Sequence, residues 1–369
     1  MTIDEITIEG FRNYEKETVF LSPGINVIAG ENAQGKTNFL EAIYLLSCGR
    51  GFRTRFDNEL ISFNGDHAKV EARIFSQERE QKVSVTMSRG ARKRIFVNGV
   101  RKNANDLAET VRVVLFCPDD LNMIREGARE RRRFMDMAIG QLRPNYTALL
   151  SEYTRLYEHK RHILSDWHEK PALLDALDDF SIQLARVGAQ IVRYRAAFAR
   201  RLAETAAPIH SEFSGNGEKL ALTYRTVSTI TDPFAPASTI YEQIMDHQRS
   251  HREAEIASLS LLTGIHKDDL EVDINGRSAR LYASQGQTRT AALSLKMAER
   301  EISTQDTGDC PILLLDDVLS ELDARRQAYV LNRIGGGQTL ITCCEDGGIQ
   351  KRTGGKVLTV HAGEVMEES

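Results

Sequence analysis

Residues 28–43 read IAGENAQGKTNFLEAI. The run Gly30-Glu31-Asn32-Ala33-Gln34-Gly35-Lys36-Thr37 fits G-x-x-x-x-G-K-[ST] at every fixed position, and its surroundings fit too. A strand-like stretch, INVIA, precedes it, and the helical pattern TNFLEAIYLLS (37–47) follows. Backbone N–H groups of such a loop, with the positive end of the next helix, surround phosphate oxygens. Lys36 is then placed to reach β- and γ-phosphates, and Thr37 to offer its hydroxyl to Mg²⁺. The expectation is an α/β protein with a nucleotide at this loop.

Such a site needs a carboxylate on the metal side, and PILLLDDVLSELD (311–323) supplies two. A buried apolar strand ending in Asp316-Asp317 would set Asp316 beside the Mg²⁺ and leave Asp317 to orient or deprotonate water. Lys36 and Asp316 stand 280 positions apart, so a large insertion lies between them. Shortly before the carboxylates, Ser284-Gln285-Gly286-Gln287 opens a helix expected over 286–303. Its N-terminus is a second anion-ready helix end. Two readings stay open there: contact with the nucleotide of another subunit, or ordinary capping by Ser284.

The 369 residues are 41% hydrophobic and 27% charged, which suits one large or two ordinary folded domains. No apolar run reaches the ~20 residues of a membrane span, and the acidic opening MTIDEITIEG does not read as a signal peptide. Five cysteines, two of them adjacent (Cys343-Cys344), form no disulfide framework, so a reduced, cytoplasmic protein is expected. Net charge is −4, unevenly spread: +3 over 1–133 (22 basic, 19 acidic), 0 over 134–215 (10 and 10), −7 over 216–369 (16 and 23). A local anion-binding face is compatible with that distribution.

Strands are expected before residue 30 and over 68–116, with a hairpin at Asn98-Gly99, and again after 216 with a hairpin at Asn275-Gly276. Between them, 127–168 and 172–210 read as long helices broken near SDWHEKPA. Leu177, Phe180, Leu184, Val187, Ile191, Tyr194, Phe198 and Leu202 recur at steps of 3 and 4, the seam of a helix packed on another. Leu149, Tyr153, Leu156 and Ile163 would face them. The expected organisation is a discontinuous ATPase-like head, 1–118 plus 216–369, interrupted by an antiparallel helical arm or lid over 119–215.

GENAQGKTN (30–38), RGFRT (50–54), ERRRFMD (130–136), HKDDL (266–270), SQGQTR (284–289) and LLLDDVLSELD (313–323) occur in an order that resembles the RecF family of bacterial recombination and gap-repair ATPases. That family is of the ABC/SMC type. The resemblance implies an ATP-bound homodimer in which each nucleotide lies between one subunit's phosphate loop and the other's Ser284–Gln287. Asp323 would fall in the loop that crosses the dimer interface. It implies a weak, DNA-dependent ATPase that binds DNA at single-strand/double-strand junctions and works with RecR and RecO to load RecA. Two segments depart from the family pattern. Ile265 and Lys267 replace the proline and arginine of Gly-Pro-His-Arg-Asp-Asp, and Cys343-Cys344 stand where threonines are expected. DNA-contact candidates are Arg50, Arg53 and Arg55, Arg92-Lys93-Arg94, Arg101-Lys102, Arg129 with Arg131–Arg133, and Arg186, Arg193, Arg195, Arg200 and Arg201. The rival readings are a non-hydrolytic ATP-gated clamp or tether, and a transporter ATPase, which would need membrane-coupling partners.

Overall fold

The structure is a computed structural model that describes every residue except 55, 345–347 and 368–369, and only the backbone of residue 321. Its chain packs into two compact units, Met1–Asp120 with Lys296–Ser369, and Leu121–Leu295. The first unit begins with a hairpin of β1 (Thr2–Phe11) and β2 (Tyr14–Phe20), then β3 (Ile25–Ala29) and α1 (Lys36–Cys48). In β1, Ile3, Ile6 and Ile8 are fully buried. Burying each such side chain contributes about 1.5–3 kcal/mol. Ten of the thirteen residues of α1 are buried, so this helix runs through the core rather than along the surface.

Next come β4 (His67–Ser76), β5 (Arg79–Ser88), β6 (Arg94–Val97) and β7 (Val100–Lys102), which with the first hairpin make an antiparallel sheet ordered β2-β1-β4-β5-β6-β7. The Asn98-Gly99 hairpin is present, with both residues at positive φ (50° and 78°) and Val97 paired to Val100. After α2 (Ala104–Thr110), β8 (Val113–Phe116) joins a second sheet.

The second unit holds α3 (Asn122–Arg125), α4 (Ala128–Leu142), α5 (Pro144–Asp166) and α6 (Leu177–Phe213). The single helix expected over 127–168 is two helices. Pro144 disfavours helical backbone at the residue before it, and Arg143 accordingly sits at φ −140°, ψ 92°. Ring pairs Tyr146–Tyr194 and His159–Phe180 ascend α5 while descending α6, so the two helices are antiparallel as their stripes indicated. The chain goes on through β9 (Leu220–Arg225), α7 (Ala237–Ser258), β10 (Asp269–Ile274), β11 (Arg277–Ser278) and α8 (Ala279–Tyr282) into α9 (Gln285–Thr307). The Asn275-Gly276 turn joins β10 to β11, again at positive φ (52° and 73°).

Residues 216–295 therefore pack with the helices, whereas the sequence reading returned the chain to the head at 216. The reason is a buried polar network. Arg195 of α6, 2% exposed, donates to Asp136 of α4, to Ile265 O and to Asp268, and Asp268 also accepts from Tyr224 and Thr226. Lys160 of α5, inside the expected apolar stripe, is paired at 2.7 Å with Glu255 of α7. Opening any of these pairs would strand a buried charge.

In the first unit, α9 leads to β12 (Ile312–Leu315), α10 (Ala324–Arg333), β13 (Thr339–Cys343), α11 (Ile349–Thr353), β14 (Lys356–His361) and β15 (Glu364–Glu367). The second sheet is ordered β15-β14-β3-β13-β12-β8, parallel throughout except for β15. Gln338, fully buried, ties the two sheets together: its side chain accepts from Ile3 N and donates to Ile3 O and Ser22 O, each at 2.8 Å. Replacing Gln338 with alanine strands Ile3 N and Ile3 O, while Ser22 O keeps the Asn26 amide as a donor. Urea denaturation should show a loss of about 2–4 kcal/mol, at ~1–2 kcal/mol per stranded group.

Candidate active site

Parallel pairing brings the carboxyl ends of β3, β13 and β12 to one edge, with Thr342 opposite Ile28 and Cys343 opposite Ala29. From that edge the loop 30–35 turns into α1. Its two end glycines are required. A Cβ on Gly30 (φ +149°) would lie 2.4 Å from Val360 O, and one on Gly35 (φ +121°) 2.6 Å from the Asn13 amide. The loop is held from outside. Asn13 donates to Gln34 O at 2.8 Å, Tyr14 donates its hydroxyl to Gly35 O at 3.0 Å, and Gly363 N and Ala362 N donate to Gln34. Lys36, 8% exposed, gives two of its three protons to Gly30 O (2.6 Å) and Glu31 O (2.7 Å), leaving one for an anion.

Thr37, Asp316, Asp317 and Thr342 form one joint. The hydroxyls of Thr37 and Thr342 both donate to Asp316 Oδ1 at 2.9 Å, and Asp317 N donates to Thr342 Oγ1 at 2.8 Å. Burial pushes the Asp316 carboxyl up, against the pull of those two hydroxyls and of Arg53. Asp317 is exposed and holds φ +52°, a sparsely populated conformation that aspartate tolerates better than most residues. Ser320 fixes it by donating to its carbonyl (2.9 Å) and carboxylate (2.8 Å).

The same edge opens into a cleft of ≈1240 Å³ whose lining includes Lys36, Thr37, Asp317 and Thr342, with Asn32, Ala33 and Gly35 of the loop. Arg12, Asn13, Arg53, Ile61, Phe63 and Arg89 line much of the remainder. The fully buried Glu41 of α1 accepts from the Arg12 guanidinium (2.8 and 3.0 Å) and from Arg53 N (3.1 Å), holding both arginine segments at the cleft. The sequence reading missed Arg12, Asn13, Tyr14, Glu41 and Thr342. FRNY (11–14), a polar break between two alternating strands, was the available signal for the first three.

The remaining candidates lie elsewhere. Ser284–Gln287 belong to the second unit, where Ser284 and Gln287 make a reciprocal capping box: Gln287 N donates to Ser284 Oγ (3.2 Å) and Ser284 N to Gln287 Oε1 (2.8 Å). Gln285 and Gly286 form the first turn of α9 between them. Asp323 is exposed and caps α10, accepting from Arg326 N at 3.0 Å. His266 is structural, its ring between Tyr153 OH and Leu261 O, and burial pushes its pKa down to about 4. Cys344 is exposed and its thiol meets Asn32 Oδ1 at 3.1 Å.

Two of the candidate DNA-contact arginines are interior groups. Arg131, 5% exposed, is forked onto Asp269 (2.7 and 2.9 Å), and Arg195 belongs to the network above. Lys93 is paired with Asp57 at 2.8 Å, while Arg92, Arg94, Arg101 and Lys102 are exposed. Arg55 lies outside the described residues.

A phosphate loop after β3 and a paired-aspartate strand β12, with β13 between them in one mostly parallel sheet and a large insertion between them in sequence, define an ABC/SMC-type P-loop ATPase head. Residues 2–362 match the family model described as RecF/RecN/SMC N terminal domain. The Smc head domain of Pyrococcus furiosus shares the fold, with a TM-score of 0.59 at 16% identity over 100% of this chain and 96% of that one. Nearer relatives carry one name. The "DNA replication and repair protein RecF" of Bacillus subtilis (strain 168) is 38% identical over 358 residues, 96% of each chain. A solved structure of "the recombination mediator protein RecF-ATPrS in RecFOR pathway" is 33% identical, with a TM-score of 0.93 over 100% of this chain and 98% of that one. The chain belongs to the RecF family.

The joint at Asp316 makes a specific expectation. Thr342→Val keeps the shape of the side chain but removes one hydroxyl from Asp316 and the acceptor for Asp317 N. ATP turnover should fall at least ~10-fold as Asp317 loses its orientation, while ATP affinity stays within about threefold, since the phosphate loop is untouched. Single-turnover hydrolysis and nucleotide titration on the same preparation separate the two.

Proposed function

We propose that the chain is an ATP-gated DNA-binding protein of recombinational gap repair. ATP joins two copies, the closed dimer holds DNA at single-strand/double-strand junctions, and slow, DNA-dependent hydrolysis releases it. The observation that carries this reading is the joint at Asp316, which links the phosphate loop through Thr37 to the exposed carboxylate of Asp317 through Thr342. The family's ATP-bound structures and its DNA repair names support the nucleotide and the setting.

The residues present fit Mg²⁺. Thr37 Oγ1 and Asp316 Oδ1 are hard oxygen donors that meet at the mouth of the phosphate loop, the donor chemistry that Mg²⁺ takes, and they would hold the ion there. When bound, the ion would neutralise charge between the β- and γ-phosphates. The chain's own residues do the rest. Lys36 and the loop N–H groups bind the triphosphate, and Asp317 orients or accepts a proton from the attacking water. Ser284–Gln287 of a second copy would meet the γ-phosphate with the N-terminus of α9, and Asp323 would lie at the same dimer contact. RecR, RecO and RecA are the proposed pathway partners. A cytoplasmic setting is part of the same proposal; among the described residues no helix is long and apolar enough to cross a membrane.

Two variants test this reading. Lys36→Ala removes the ammonium and should abolish measurable ATP binding and ATP-dependent dimers. Asp317→Asn should still bind ATP and dimerise, while hydrolysis falls ~10²–10⁴-fold. After an ATP chase, its dimers on gapped DNA should outlast the wild type's in proportion, as followed by sedimentation and fluorescence. Equal lifetimes for wild type and Asp317→Asn would instead favour the non-hydrolytic tether.

A further inference from the structure

One face of α6 stands out from the rest of the second unit. Arg186, Gln190, Arg193, Ala197 and Arg200 follow each other at steps of 4, 3, 4 and 3 and are all exposed. The three arginines are seven residues apart, so successive guanidiniums leave the helix about 10.5 Å apart at 1.5 Å per residue. None of the three has a carboxylate partner among the described residues, whereas Arg195, two residues beyond Arg193, is buried and doubly paired. Glu204 ends the basic run one turn later.

Beside this stripe lies a groove of ≈600 Å³ lined by Gln190, Arg193, Tyr194, Ala197, Arg200 and Phe234. Phe234 comes from the turn between β9 and α7 and is 43% exposed. That turn is rigid: Asp232 accepts from Phe234 N (2.9 Å, by its carboxylate) and Ala235 N (3.2 Å, by its carbonyl), and prolines 233 and 236 flank the ring. The Arg200 guanidinium lies over the Phe234 ring, 4.6 Å from its centroid. The groove thus offers a planar cation already stacked on an aromatic ring, a second unpaired arginine, a neutral amide and no carboxylate among its lining residues.

We infer that this groove binds single-stranded DNA. A base extends the Arg200–Phe234 stack, its edge faces Gln190, and the strand's phosphates meet Arg193 and Arg200. Stacking platforms joined to basic grooves hold single strands without reading sequence. A duplex keeps its bases inside and would offer the groove only its phosphates. The inference rests on the DNA-binding reading above and adds to it a place on the chain, remote in sequence from the phosphate loop, where an unpaired strand is told from a paired one.

The test uses the full chain with ATP present and dye-labelled oligo(dT) or a duplex of the same length, read by fluorescence anisotropy across a NaCl series. Phe234→Ala should weaken oligo(dT) binding on the order of tenfold, the usual yield of one stacked base, and leave the duplex unchanged. Phe234→Tyr, which keeps the ring, should bind as the wild type does. Arg193→Ala/Arg200→Ala should reduce the slope of log K against log salt on oligo(dT) by about 1.4, or ~0.7 for each phosphate no longer neutralised. Far-UV circular dichroism and melting temperature should be wild-type in all three, which shows that they are folded, and ATP affinity should be unchanged because the nucleotide loop lies in the first unit. The inference is overturned if the alanine variants bind oligo(dT) with wild-type affinity and slope, or if they weaken duplex binding as much as single-strand binding. A wild type that binds neither DNA overturns the DNA-binding reading as well.

Discussion

A single carboxylate oxygen, Asp316 Oδ1, accepts hydroxyls from Thr37 and Thr342, two residues 305 positions apart in the chain. Little else in the first unit has meaning without it. The oxygen is buried, so its charge is tolerable only while both hydroxyls point at it, and both do so only because three parallel strands end at the same height. A slip of one residue between β12 and β13 would turn Thr342 to the other face of the sheet. Register, side-chain chemistry and the geometry of the candidate site are thus one constraint. The strained backbone of Asp317 follows from it, since Thr342 holds that residue's N–H with the oxygen that also donates to Asp316.

Glu41 extends the same logic to the far wall of the cleft. It is fully buried in a helix that is otherwise core, where an unpaired carboxylate would be costly. Its two oxygens are taken up by Arg12 and by the backbone of Arg53. The segment between β1 and β2 and the loop after α1 are therefore fastened to the helix that carries Lys36. Arg12 itself adopts φ +55°, a conformation the pairing must hold in place. Phosphate loop, Arg12 and Arg53 belong to one rigid assembly.

Sequence reading reached the parts of this site that rest on local chemistry. A glycine loop between strand and helix, and an apolar strand ending in two carboxylates, each carry their own signature, and the fold class followed from them. Both asparagine–glycine hairpins were legible because left-handed backbone at two successive residues admits few side chains. What stayed hidden depends on partners distant in the chain. Glu41 reads as a helix-forming residue until Arg12 is seen beside it, and Thr342 reads as one strand residue among others until Asp316 is. Lys160 sat in an apolar stripe as an apparent interruption, and only α7 shows why it can be buried. The boundary at 216 was misplaced for the same reason: a return to strands signals a new element, not which unit that element packs against.

Arginine shows this limit most sharply. On α6, Arg193 and Arg195 are neighbours but one, with the same charge and the same intrinsic helix propensity. They differ in direction: two residues along a helix is a turn of about 200°, so one side chain faces solvent and the other the interior. Facing inward, Arg195 has its protons claimed by Asp136, Asp268 and the Ile265 carbonyl, and its charge is spent on holding α4, α6 and the segment before β10 together. Facing outward at the period of seven, Arg186, Arg193 and Arg200 have no carboxylate partner among the described residues, and their charge remains available to an external anion. Counting basic residues along the chain treats the two sets alike. The helical phase separates them: the inward set fixes the architecture of the second unit, and the outward set gives that architecture a surface with which to meet a polyanion.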